Sequence, residues 1–391
     1  MLVAAGSALY SGMLLSLLLP QIQSGLGVPA AELPRALAIS RLGALPALYL
    51  MLAADRLGRR RVLLVALCGL ALGNLATGFS RSASELIAAQ FVATGFRACV
   101  EMLCAVVLIE ELRAARRGYG VGLLQTLSFA GGAAGIGGLA LVAWLPGGWR
   151  ALFALGALPL LLVPWLAARL RETARFASER AARGARSASP WHAPLRDLAL
   201  GYPRRLATLL AVVAPCSAGL LSANAMLSQF LQQERGYSPA GVAGLFAITG
   251  AIVPLASLAA GRLADALGRR GLISGAALVG AAGGLLCFRG DGAWLLFGLG
   301  LYTSALVVVS NLLQMLGTEL FPTALRASAT GAREVAGILS FSLGLFCLSA
   351  LFEWSGSLAT AASLMLLGIP LAALAVWALP ETARRELEEI G

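Results

Sequence analysis

Charge is what this sequence has least of. Only 13% of its 391 residues are charged, against about 25% in a soluble domain, while 59% are apolar against about 45–50%. A globule of this size cannot hide so much apolar surface, so its solvent must itself be apolar. Lysine is absent; all thirty basic residues are arginine. Histidine occurs once, as His192, and six cysteines (Cys68, Cys99, Cys104, Cys216, Cys287, Cys347) stand singly inside apolar runs. Neither zinc-ligand spacing nor a CxxC pair is present, so these read as small reduced hydrophobes. The absences exclude a disulfide scaffold, a metalloenzyme and a soluble cytoplasmic domain. With no Walker loop, nucleotide fingerprint or cofactor motif, no cofactor is expected and no enzyme either.

What is present is a series of apolar runs. Crossing about 30 Å of hydrocarbon takes about 20 helical residues. Twelve runs meet that length, near 2–22, 34–54, 62–80, 84–109, 118–145, 150–169, 205–232, 241–262, 272–289, 293–317, 327–351 and 356–379. They are continuous and rich in Leu, Ala and Gly, unlike the alternating strands of about 10 residues that build a barrel. The expected fold is all-α, with twelve transmembrane helices in two six-helix bundles. The first run starts at Met1 without a charged leader or a small-residue cleavage site, which favours helix 1 over a signal peptide. The lack of any tail before it points to a shortened start.

The net charge of +11 follows membrane topology rather than nucleic-acid binding. Twenty-two arginines fall on one side of the runs, nine of them between Arg169 and Arg205, and only five (Arg35, Arg81, Arg150, Arg235, Arg289) on the other. The positive-inside rule then places both termini and the long 170–204 loop in the cytoplasm. That loop separates an N-terminal bundle, 1–169, from a C-terminal bundle and tail, 205–391. His192 lies within it and reads as a solvated loop residue.

The halves repeat at an offset near 210. LAADRLGRR (Leu52 to Arg60) answers RLADALGRR (Arg262 to Arg270); EELRAARRGYGVG (Glu110 to Gly122) answers ELFPTALRASATG (Glu319 to Gly331); RETARF (Arg171 to Phe176) answers PETARR (Pro380 to Arg385). Parallel repeats of this kind place a transport site at the repeat interface. GRLADALGRR (Gly261 to Arg270) resembles the signature loop of the major facilitator superfamily, G-x-L-A-D-x-x-G-R-R, at every fixed position. The first copy departs from it at Met51 and Ala53. ELFPTALR, PETARR and GWRALF (Gly148 to Phe153) look most like the sugar-porter and metabolite/proton-symporter branches.

The resemblance implies a cytoplasmic gate. Asp55 with Arg59 and Arg60, and Asp265 with Arg269 and Arg270 beside Gly268, are expected to form latches that close the inner side. Glu110, Arg117, Glu172, Glu319, Arg326 and Glu381 extend the same charge network. The plainer reading is that these arginines only set topology.

Charges inside the hydrocarbon need a partner or a watery cavity. Arg97 lies about 20 Å from either end of helix 4, and Glu101 follows one turn later on the same face. The pair reads either as an internal ion pair for packing or as a substrate and proton-coupling site. Arg41 reads as snorkelling outward or facing the cavity, Arg333 as reaching the inner interface, and Glu334 as facing the cavity or coupling a proton. Ser217, Asn224 and Ser228 share a face of helix 7 with Gln229 adjacent, Ser304 and Asn311 share one on helix 10, and Tyr10 lies midway along helix 1. The resemblance implies that helices 1, 4, 7 and 10 line the cavity. Gly131, Gly132, Gly135, Gly137 and Gly138 read as close helix packing.

The expectation is a secondary transporter of a small organic anion or sugar-related metabolite, working by alternating access and proton symport in a bacterial inner membrane. Its partners are that substrate, H+ and the bilayer, with no nucleic acid, and a monomer is the expected working unit. Drug efflux and a non-transporting receptor are the alternatives.

Overall fold

The computed structural model describes residues 2–111, 117–170, 193–322 and 325–380. Every regular element among them is helical. In chain order they are α1 Leu2–Leu17, α2 Leu19–Leu26, α3 Leu33–Leu42, α4 Ala47–Leu57, α5 Arg59–Gly78, α6 Ala83–Glu111, α7 Arg117–Leu141, α8 Trp149–Leu155 and α9 Pro159–Arg169. After these come α10 Ala193–Gly201, α11 Pro203–Glu234, α12 Pro239–Leu267, α13 Arg269–Arg289, α14 Ala293–Glu319, α15 Arg326–Ser355, α16 Leu358–Leu366 and α17 Ile369–Ala375. Among the described residues nine helices are long and apolar enough to cross a membrane, and α1 with α2 passes as a bent pair.

The breaks have local causes. The chain turns by 60° between α1 and α2, where Pro20 enters the first turn of α2 and can donate no backbone hydrogen bond. The run expected as one helix over 34–54 is interrupted by turns at 43–46, which end at Pro46 before α4. The run over 150–169 is likewise divided, with Pro159 opening α9. In α11 there is a local cause, Pro215 inside the helix, and a tertiary one. Residues Ser217–Leu221 and Phe230–Glu234 are π-helical. At the first of these the buried Tyr302 of α14 donates its hydroxyl to the Leu220 carbonyl, and its oxygen is within reach of the Asn224 backbone N–H. Those two backbone groups would bond each other in a regular α-helix, so Tyr302 is a wedge in the ladder.

Two compact units result, Met1–Ala188 with Tyr237–Ala243, and Ser189–Gly236 with Gly244–Gly391. Within the first, α1 packs on α7 and α5 on α6; within the second, α15 packs on α11 and α13 on α14. Apolar side chains also cover the outside, as Trp144, Leu161 and Leu371 show with exposures of 85%, 76% and 70%. A lipid solvent removes the penalty for exposing them.

Glycine sets the closest approaches. A Cβ at Gly131 of α7 would overlap the Gly6 carbonyl of α1, and one at Gly344 of α15 would overlap the Ala218 carbonyl of α11. The glycine stripe of α7 is therefore only partly a packing stripe. Gly132 and Gly138 face Met13 and Leu152 closely, Gly135 makes ordinary contacts, and nothing lies within 4 Å of a Cβ at Gly137.

Candidate functional site

Arg97 is the middle residue of the 29-residue α6, about 21 Å from each end. Its Nη1 lies 2.6 Å from Oε1 of Glu101, and the side chains are 15% and 41% exposed. The i, i+4 spacing brings both heads to one helix face, as the sequence expects. Arg41 joins them from α3. Its Nη2 makes long contacts of 3.4 Å to the Gly12 carbonyl and 3.5 Å to Ser16 Oγ on α1, and Arg97 and Glu101 are its charged neighbours. Gly12 is the shared floor. A Cβ there would stand 3.2 Å from Arg97 Cδ, so the missing side chain gives Arg97 room against α1, while the Gly12 carbonyl faces Arg41. Arg41 therefore turns inward instead of snorkelling. Two arginines and one carboxylate leave this cluster cationic.

The second unit holds a cavity of about 310 Å³ between α11, α14 and α15. Ser217, Ser310, Asn311, Gln314, Arg333 and Glu334 supply its polar lining. Arg333 pairs with its sequence neighbour Glu334, at side-chain exposures of 12% and 37%. Arg333 and its counter-ion both line the cavity, near the start of α15. Asn311 donates to Ser257 Oγ at 2.8 Å, tying α14 to α12.

Other expected residues are engaged elsewhere. The Tyr10 hydroxyl donates to the Leu152 carbonyl at 2.8 Å. Ser228 accepts from Gln232 at 2.9 Å, and the buried Gln229 donates to Gln233 at 3.3 Å. The π segment between Ser217 and Asn224 adds a residue to the turn, so the face drawn through Ser217, Asn224 and Ser228 does not continue, and only Ser217 lines the cavity. The Ser304 hydroxyl is buried without a hydrogen-bond partner among the described residues and lies apart from that lining.

Three of the loop arginines make contacts inside their own unit. Gly58 and Gly268 take φ of 101° and 85° at the entry to α5 and α13, a conformation costly for other residues. Arg60 then donates to the Ala167 carbonyl at the end of α9, and Arg270 to the carbonyls of Trp377 and Leu379, at 3.2 and 2.8 Å, beyond α17. Ala167 and Trp377 are themselves 210 apart, so the repeat extends to the hydrogen bond. A cation on the last carbonyls of a helix also meets the negative end of its dipole. Arg269 pairs with Glu319 at 2.5 Å, and Arg59 is buried. The side chains of Asp55, Glu110, Arg117, Asp265 and Arg326 and the surroundings of Gly261 lie outside the described residues, as do Glu172 and Glu381 entirely.

Two anchoring residues escaped the sequence reading. Glu234 accepts the backbone N–H groups of Leu358 and Ala359, the latter at 3.0 Å, and so caps α16. Asn74, fully buried in α5, accepts from Ser11 at 2.8 Å and donates to the Gly156 carbonyl at 3.3 Å. Each sits in or beside an apolar run whose pattern names no partner.

Residues 1–345 match the family model described as Major Facilitator Superfamily. A gallate transporter of Pseudomonas putida is 41% identical over 135 residues, a match covering 33% of this chain and 29% of that protein. A probable 4-methylmuconolactone transporter of Cupriavidus pinatubonensis is 27% identical over 383 residues, covering 88% of this chain and 86% of that protein. Among solved structures, the inward-open xylose transporter XylE from E. coli aligns with a TM-score of 0.77 at 17% identity, covering 100% of this chain and 97% of that one. A likeness at that identity is a likeness of fold.

Proposed function

The chain belongs to the Major Facilitator Superfamily, and on that premise we propose that it imports a small organic acid together with a proton, by alternating access. The observation that carries the reading is the cationic cluster that Arg41 of α3 forms with Arg97 and Glu101 near the middle of α6. A charge at that depth has no topological use and costs about 2.5–3.5 kcal/mol on insertion scales. A planar guanidinium offers two parallel donors to a carboxylate. An anionic substrate on Arg97 compensates the net positive charge and competes with Glu101. On this reading the displaced Glu101 is the group that carries the proton. Substrate and proton then bind together, which is symport. The relatives named for gallate, itself a small carboxylate, and for 4-methylmuconolactone support this substrate class.

Uptake into proteoliposomes tests it, with labelled gallate as the first probe. Arg97→Lys keeps the charge but loses the fork, and uptake falls at least about tenfold. Glu101→Gln retains substrate exchange but loses accumulation driven by a pH gradient. Wild-type transport by both variants, with only their melting temperature lowered, makes the pair structural and removes the reading.

The arginine distribution supports a bacterial cytoplasmic membrane with both termini inside. A cysteine at Ser187 in the 170–204 loop then resists an impermeant thiol reagent applied to intact cells; ready labelling reverses the topology.

A further inference from the structure

Arg333 and Glu334 form the second intramembrane ion pair, and its geometry differs from that of the first. Residues i and i+4 meet on one helix face, as Arg97 and Glu101 do; residues i and i+1 point about 100° apart. Glu334 therefore reaches Arg333 around the helix. The arginine is the more buried partner, 12% exposed against 37%, and its Nε has no hydrogen-bond acceptor among the described residues. A buried donor left unmade is costly, more so when it is charged. That donor belongs to a residue lining a cavity of about 310 Å³, at the lower end of the range for small-molecule pockets, roughly 300–1,000 Å³.

We infer that this cavity is a second carboxylate-docking position. A small organic acid lays its carboxylate across the Arg333 fork, completes the guanidinium's hydrogen bonds and displaces Glu334. Ser310, Asn311 and Gln314 line the same space and meet hydroxyl or carbonyl oxygens on the rest of the molecule. Val213 and Phe341 supply apolar wall. The volume suits a compact acid. The site stands on its own unit and does not depend on the Arg97 reading.

Benzoate is the probe and benzamide its neutral isostere, each titrated into the purified full-length protein. In an Arg97→Gln background benzoate still binds, and adding Arg333→Gln weakens binding at least about tenfold, the worth of a charge-assisted pair of hydrogen bonds. Glu334→Gln tightens binding several-fold, because it removes the competing carboxylate; a packing role for the pair would not produce that gain. Benzamide binds at least about tenfold more weakly than benzoate. Where Arg333→Gln does not fold, Arg333→Lys retains the charge and loses the fork, and binding falls several-fold with normal elution. Binding that ignores both Arg333 variants, or that weakens in Glu334→Gln, overturns the inference. Loss through Arg97 alone leaves the proposed function standing without it; loss through neither arginine removes both.

Discussion

The two halves agree at their rims and differ at their centres. At the rims the agreement reaches single atoms. Arg60 caps the Ala167 carbonyl and Arg270 the Trp377 carbonyl; farther in, and three residues off the repeat interval, Gly131 lies against α1 and Gly344 against α11. At the centres the same backbone frame is filled differently. Asn74 bridges Ser11 and Gly156 in the first half. The position 210 residues later is Gly284, over which the Tyr302 ring packs on its way to Leu220. The central charges diverge as well, an i, i+4 pair joined by Arg41 in one half and an adjacent pair facing a cavity in the other. Duplication kept the scaffold, and the polar filling was free to change.

The comparison breaks most visibly at its glycines. Gly131→Val and Gly344→Val each force a side chain into a carbonyl of the neighbouring helix, a cost of about 3 kcal/mol or more. Both should lose most folded protein on size exclusion. Gly137→Ala, where nothing lies within 4 Å, should melt within the error of wild type. Tolerance at Gly344 with failure at Gly131 would mean the two crossings are not equivalent. Next in size are the central fillings. Asn74→Leu strands the Ser11 hydroxyl and the Gly156 carbonyl at about 1–3 kcal/mol, and Tyr302→Phe costs less because the Leu220 carbonyl can close on the Asn224 N–H; both lower the melting temperature in detergent. The smallest effects belong to the caps. Arg60→Gln and Arg270→Gln should each lose about 0.3–1 kcal/mol, and by equal amounts if the repeat is as close as their bonds suggest.

Much of the scaffold was legible because a bilayer demands long apolar runs and the loop motifs recur at one interval. Arg97 and Glu101 were legible for a related reason: four residues on a helix fix a shared face. What stayed hidden depended on neighbours. Arg333 lies seven residues into α15, and the cavity it lines depends on α11 and α14, which its own helix does not announce. The polar face of helix 7 failed because a tyrosine 85 residues beyond Ser217 alters the turn between Ser217 and Asn224. For the glycines a signal was available. Gly131 and Gly137 are six residues apart, about 240° around a helix, so one packed face never holds both.

The wedge at Tyr302 also moves control of a backbone amide from one helix to another. In a regular helix the Asn224 N–H is protected from exchange with solvent by its own turn. Here the phenol oxygen of α14 stands beside that N–H, and the Leu220 carbonyl takes the phenol proton. Deuterium uptake at Asn224 is therefore set by how firmly α14 holds against α11, not by helix fraying, since local opening governs exchange. The amide reports on the hold of α14 against α11, readable without any label and in the native chain.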